Sequence, residues 1–183
     1  MLIRHLLLNS KRQQEFIKET LAIDIREIKK DNDNTLTEKD FKKIFTYYGS
    51  AVPAVLGEGF CLLRGKKMTD TERYKLTYMG ALTGLFDDLF DEKNTEENHI
   101  KELVNNPSES VAANSHEKLF IRFYEKVLES GNSALVKEHL NRVYNAQVLS
   151  KGQKDPGIRE EDIRYITIEK GANSSIKGDK SVI

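Results

Sequence analysis

Three aspartates close the most informative stretch of this 183-residue chain. Asp87, Asp88 and Asp91 end a segment that reads YKLTYMGALTGLFDDLFDE from Tyr74 to Glu92. On a helix, Asp87 and Asp91 lie one turn apart with Asp88 beside them. Carboxylates that close together repel one another unless a cation or a basic partner sits between them. Their hard oxygen donors suit Mg²⁺, which takes carboxylate and phosphate oxygens and keeps some of its waters. The residue types do not separate Mg²⁺ from Mn²⁺.

The element that must carry these aspartates is itself well marked. Leu76, Met79, Leu82, Phe86 and Leu89 recur at three- and four-residue steps, which predicts an amphipathic helix. Thr69-Asp70-Thr71-Glu72 matches a capping box and fixes its start. About 20 residues then span about 30 Å. Gly80 and Gly84 form a stripe of small residues that continues into Asp87 and Asp91 on the same face. Glycine in a helix interior costs ~1 kcal/mol against alanine, so two of them one turn apart imply a wall with something beside it.

The rest of the chain reads helical too. Residues 11–30 form a strong amphipathic helix with Phe16, Ile17, Leu21, Ile25 and Ile28 inward. A second long helical stretch, 38–63, is interrupted at Pro53, which kinks or ends a helix. Tyr47, Tyr48, Gly49, Ser50 and Ala51 precede that proline. This crowd of small and aromatic residues is either a further cavity wall or a site of close helix packing. Further helices are expected at 96–104, 115–130 and 133–150, and after Pro156-Gly157. The segment DNDNTLTEKDF invites a calcium-loop reading. An EF-hand aligned on it would start at Lys29, where an acid should stand, and would place Asn34 at the glycine position. A turn leading to a helix start near Thr37 and Asp40 accounts for it better. His116 has no partner at metal-ligand spacing.

Composition narrows the classes. Charged residues make up 32% and hydrophobic ones 38%, and the formal net charge is zero. That balance gives no reason to expect nucleic acid as a partner. The single cysteine, Cys61, sits among Phe60, Leu62 and Leu63, where a buried inert thiol is expected. One cysteine excludes an internal disulfide and fits a reducing cytoplasm. No apolar run reaches the ~20 residues of a membrane span, and the opening MLIRHLLLNS lacks the long apolar region and cleavage site of a signal peptide. One α-helical domain over 1–176 with an irregular tail at 177–183 is expected.

The D-D-x-x-D spelling of Asp87, Asp88 and Asp91, on a helix after small and aromatic residues, resembles the first aspartate-rich motif of class I isoprenoid synthases. That family comprises the trans-prenyltransferases and terpene cyclases. The resemblance implies an all-α bundle of the isoprenoid-synthase type. It also implies Mg²⁺ held by the three aspartates against an isoprenyl diphosphate, for ionisation and then prenyl transfer or cyclisation. Under it, Gly84 borders the pocket, and Phe86 and Tyr48 shelter a carbocation through their π faces. Gln147 and Gln153 fall where such chains carry polar pocket residues, and Lys170 corresponds to a lysine facing the diphosphate. The family's second metal motif is not found after Asp91. The chain is therefore expected to cover the first half to two thirds of that fold, and to self-associate through the apolar wall left open, a homodimer being the simplest form. The expectation from another class is a small helical interaction module whose DDLFDE is an acidic docking surface.

Overall fold

A computed structural model describes residues 2–91, 96–154 and 156–174; within these, the side chains at 2–6, 91, 154 and 171–174 are not described. The tail expected at 177–183 lies outside the described residues. All regular structure among the described residues is helical, so the fold is all-α. In order, the helices are α1 (Leu2–Glu19), α2 (Leu21–Lys30), α3 (Glu38–Lys43), a π-helical segment (Ile44–Gly57) and α4 (Glu58–Leu63). Then come α5 (Asp70–Asp91), α6 (Glu97–Asn105), α7 (Ser115–Glu129), α8 (Ser133–Ser150), a 3₁₀ turn (Lys151–Lys154) and α9 (Glu160–Ser174).

α5 is the central helix, and its start is set as the capping box predicts. The Glu72 carboxylate accepts from the Thr69 backbone N–H at 2.8 Å, and the Thr69 hydroxyl accepts from the Glu72 N–H at 3.2 Å. Ala81, Leu82, Leu85, Phe86 and Leu89 are essentially fully buried. They join one core with Leu21 and Ile25 of α2, Leu103 of α6, Phe120 and Phe123 of α7, and Val136 and Tyr144 of α8. Phe86 stacks on Phe120 at 5.9 Å and meets Phe90 edge-on at 5.3 Å, so it belongs to this core. Removal of such side chains from water supplies the main driving force of the bundle.

The expected helix at 11–30 is two helices. α1 begins at Leu2 and stops at Glu19; Thr20 breaks it with φ −121° and ψ −91°, its hydroxyl turned back onto the Phe16 carbonyl at 2.8 Å. The break lets α2 turn and place Ile25 in the core while Asp24 reaches α5 and α7. Buried Asp24 accepts from the Tyr78 hydroxyl and from Arg122, both at 2.6 Å. Burial and this carboxylate raise the Tyr78 pKa well above its ordinary value.

The larger departure lies at Pro53. The helix does not end there; the chain winds through Ile44–Gly57 as a π-helix and continues directly into α4. An i→i+5 winding is rare beyond a single turn and needs support from outside the segment. α1 and α5 supply it. The Gln13 amide donates to the Gly49 carbonyl at 2.7 Å and to the Thr77 hydroxyl at 2.8 Å, and the Asn9 amide donates to the Ala54 carbonyl at 2.7 Å. Arg73 locks both amides from behind, donating to Gln13 Oε1 at 2.8 Å and to Asn9 Oδ1 at 2.9 Å. Asn9, Gln13, Arg73 and Thr77 are all buried. Burial lowers the Arg73 pKa, and nearby Glu58 and Asp70 work against that effect.

The loop whose acids invite a calcium reading has a structural task. Its Asp33 carboxylate accepts from the Ser115 N–H at 3.0 Å, and the Thr35 hydroxyl accepts from the His116 N–H at 3.2 Å. These satisfy two orphan donors at the start of α7, and Asn114 takes the Glu117 N–H at 2.9 Å. Asp40 accepts from the Thr37 N–H and hydroxyl, which gives the helix start expected there. His116 is buried, with its Nε2 3.1 Å from the Leu85 carbonyl oxygen. Cys61 is buried, as expected.

Candidate functional site at the end of α5

Asp87 and Asp88 stand on the last turns of α5, and three other elements converge on them. From α8, the Gln147 amide donates to Asp87 Oδ1 at 2.7 Å. From α3, Lys43 Nζ pairs with Asp88 Oδ1 at 2.7 Å, both side chains about one third exposed at 37% and 30%. From α9, the charge of Lys170 acts on Asp87, while its ammonium donates to Ser150 Oγ at 3.2 Å. Gln147 and Ser150 are three residues apart, so one face of α8 serves both contacts. Tyr48 completes the rim; the Lys43 ammonium lies 5.4 Å from its ring centroid.

The electrostatics are uneven. Burial raises the Asp87 pKa, the Gln147 hydrogen bond and the charges of Lys170 and Lys43 pull it down, and Asp88 pushes it up; the net direction is upward. Burial works against the Lys43 ammonium, yet the hydrogen bond and charge of Asp88 outweigh it, so the Lys43 pKa is raised. Burial likewise raises the Tyr48 pKa, with Lys43 opposing. A half-buried carboxylate whose ionisation is disfavoured gains from any added positive charge, and Asp87 is such a group.

Asp91 is the last residue of α5, one turn beyond Asp87, but its side chain lies outside the described residues. Two of the three expected carboxylates can therefore be placed. Among the described residues, no three Asp, Glu, His or Cys side chains gather around one point.

The glycine stripe is filled rather than open, which corrects the expected cavity wall. A Cβ on Gly84 would stand 2.5 Å from Tyr48 Cδ2 and 2.7 Å from Cε2. A Cβ on Gly80 would collide with the carbonyl oxygen of Tyr48. In an i→i+5 winding the donor to that carbonyl would be residue 53, which is proline and has no N–H. Gly80 and Gly84 thus let the π-helical segment press its backbone and one ring against α5. Of the alternatives left open for the residues around Tyr48, close packing is the one found.

The remaining expected residues divide. Tyr48, Gln147 and Lys170 are brought to the aspartates from positions 48 to 170 along the chain. Gln153 is exposed on the 3₁₀ turn and has no contact with Asp87 or Asp88. Phe86 faces the core and lines no opening. Lys43 and Ser150 were not anticipated. Lys43 precedes Tyr48 by five residues, a spacing that shares a face only when the helix winds i→i+5, so α-helical periodicity hides it. Two shallow grooves, of about 510 and 540 Å³, lie elsewhere, beside Tyr74 and Lys126 and beside Ile121 and Arg122. No family model, no curated protein and no solved structure matches this chain.

Proposed function

We propose that the end of α5 is a Mg²⁺-dependent diphosphate site and that the chain is an isoprenoid-synthase-like protein binding an isoprenyl diphosphate. One observation carries the reading: Lys43, Gln147 and Lys170, from three separate helices, converge on Asp87 and Asp88. An acidic surface helix has no need of such a collar, whereas a site for a metal-bound diphosphate uses carboxylates and cations side by side. The donor set fits Mg²⁺, which is commonly held by one or two carboxylates together with substrate phosphates. Asp87 and Asp88 would hold it, with Asp91 as the third member of the motif. Bound there, the ion would neutralise charge on a departing diphosphate. The chain's own contribution is separate: Gln147 fixes the Asp87 carboxylate, and Lys43 and Lys170 place two ammonium groups beside the phosphate position. Coupling to a second isoprenoid and cyclisation are both open to such a site.

Calorimetric titration with farnesyl diphosphate, with and without Mg²⁺, tests this. Binding should require Mg²⁺ and vanish in Asp87→Asn. Loss of one charge-assisted contact in Lys170→Met should weaken it by about tenfold or more. A folded wild-type protein that binds no diphosphate, or binds it equally well without Mg²⁺ or Asp87, refutes the proposal. The reading then favoured is a helical interaction module with an acidic face. Its support is that one oxygen of each described aspartate already holds a protein partner and that Tyr48 occupies the glycine groove.

A further inference from the structure

The side chains that collar the aspartates hold them in different ways. The Gln147 amide on Asp87 Oδ1 is neutral and sets no positive charge against a metal. Lys170 rests its ammonium on the Ser150 hydroxyl rather than on a carboxylate. Of the three, Lys43 alone puts a full positive charge directly on a carboxylate oxygen, its Nζ 2.7 Å from Asp88 Oδ1. Lys43 is the last residue of α3, and the π-helical segment starts at the next residue. In that winding Tyr48, five residues on, shares its face. The Tyr48 ring packs against Gly84, one turn before Asp88 on α5, and the Lys43 ammonium lies 5.4 Å from its centroid. The ammonium is therefore held by the Asp88 carboxylate and attracted by the ring face.

That seat is where a metal ligand has to be bare. Lys43 must leave Asp88 Oδ1 before that oxygen can ligate, and a cation on Oδ2 meets the same ammonium across one carboxylate. The pair can open, because both partners keep about a third of their side-chain surface in water and ion pairs so exposed are weak. Phosphate oxygens offer Lys43 another partner, since they accept charge-assisted hydrogen bonds as carboxylates do. The flexible four-carbon stem of lysine lets the ammonium change partner while its backbone stays in place.

We propose that Lys43 is a latch on this site: it occupies Asp88 in the empty protein and passes to the diphosphate on loading, so that metal alone binds poorly and metal with diphosphate binds well. The latch rests on the diphosphate reading above and adds its regulation. Lys43 thereby couples the two affinities, and the coupling is reciprocal. Two titrations of the full chain test it. Binding of Mn²⁺ alone is read from the electron paramagnetic resonance signal of the free ion, and binding of farnesyl diphosphate with Mg²⁺ by calorimetry. Lys43→Met should move the two in opposite directions. Mn²⁺ alone should bind about fivefold more tightly, the upper range for release of an exposed ion pair. Farnesyl diphosphate with Mg²⁺ should bind about tenfold more weakly, for want of a charge-assisted contact. Lys43→Gln should shift both in the same directions, and serves if the methionine variant misfolds. Lys42→Met, which removes the exposed neighbouring charge, should leave both unchanged. A shift in one affinity alone, in both with the same sign, or in neither overturns the latch and leaves the diphosphate site standing. So does a Lys42→Met effect as large as that of Lys43→Met, which would mark a general response to net charge. A folded wild-type protein that binds no farnesyl diphosphate removes the site and the latch with it.

Discussion

Adding one methyl group at Gly84, and separately at Gly80, tests whether the groove along α5 is filled as described. Alanine in a helix interior is favoured over glycine by ~1 kcal/mol, so an open groove makes both substitutions stabilising. Here the new methyl at Gly84 would stand 2.5 Å from a carbon of the Tyr48 ring. Overpacking of that kind costs about 1–3 kcal/mol, which leaves Gly84→Ala neutral to about 2 kcal/mol destabilising. In a Tyr48→Ala background the ring is gone, and the same substitution should stabilise by ~1 kcal/mol. The coupling between the two positions is then about 1–3 kcal/mol. Gly80→Ala differs, because its methyl meets the Tyr48 backbone carbonyl, which Tyr48→Ala does not remove. It should destabilise in both backgrounds. Urea unfolding followed by far-ultraviolet circular dichroism measures all five variants against wild type. Gly84→Ala stabilising in the wild-type background, or uncoupled from Tyr48, would refute the packing and restore an open wall beside the aspartates.

Two pH-dependent effects follow from the carboxylates. The Asp33 pKa is held down to about 2 from 3.8, chiefly by the Thr35 hydroxyl, with help from its bonds to the Ser115 backbone and side chain. A depressed native pKa contributes stability that is complete above 3.8 and lost as pH falls through about 2. Asp33→Ala should therefore cost ~1 kcal/mol at neutral pH, the usual worth of a helix cap, with the gap from wild type closing in acid. Asp87 has the opposite sign, since burial raises its pKa. Asp87→Asn should make the protein more stable at neutral pH, a gain that is absent below 3.8 and complete above the raised native value. Thermal melts from acid to neutral pH compare both variants with wild type; an Asp87→Asn protein less stable than wild type at neutral pH would contradict the desolvation argument.

What the sequence made legible is what local chemistry determines. The Thr69–Glu72 box set the start of α5, and the ranges expected for α7 and α8, 115–130 and 133–150, match Ser115–Glu129 and Ser133–Ser150 to within a residue. The leucine and phenylalanine periodicity of α5 identified its buried face, with Leu82, Phe86 and Leu89 in the core. Around the aspartates, the identity of Gln147 and Lys170 came from a family resemblance, and that of Lys43 from the structure alone. The errors share one cause, the influence of distant partners. Thr20 breaks α1 from α2 although the apolar spacing of Phe16, Ile17, Leu21 and Ile25 is unbroken. Pro53 reads as an interruption because the amides of Asn9 and Gln13, which hold the winding around it, are more than thirty residues away. Glycines one turn apart read as room for a ligand, since nothing in their spacing says that Tyr48 takes the space.

The clasp on the π-helical segment also bears on the order of events during folding. An ordinary helix can begin to form from its own neighbours, within nanoseconds to microseconds of collapse. This one cannot take its winding that way, for its register is set by bonds that span 36 to 45 residues from Gln13 and Asn9, themselves held by Arg73 across a further 60 to 64. Each such closure has to be made against chain entropy before it returns anything. Residues 44–57 thus acquire their final turn only when α1 and α5 have met.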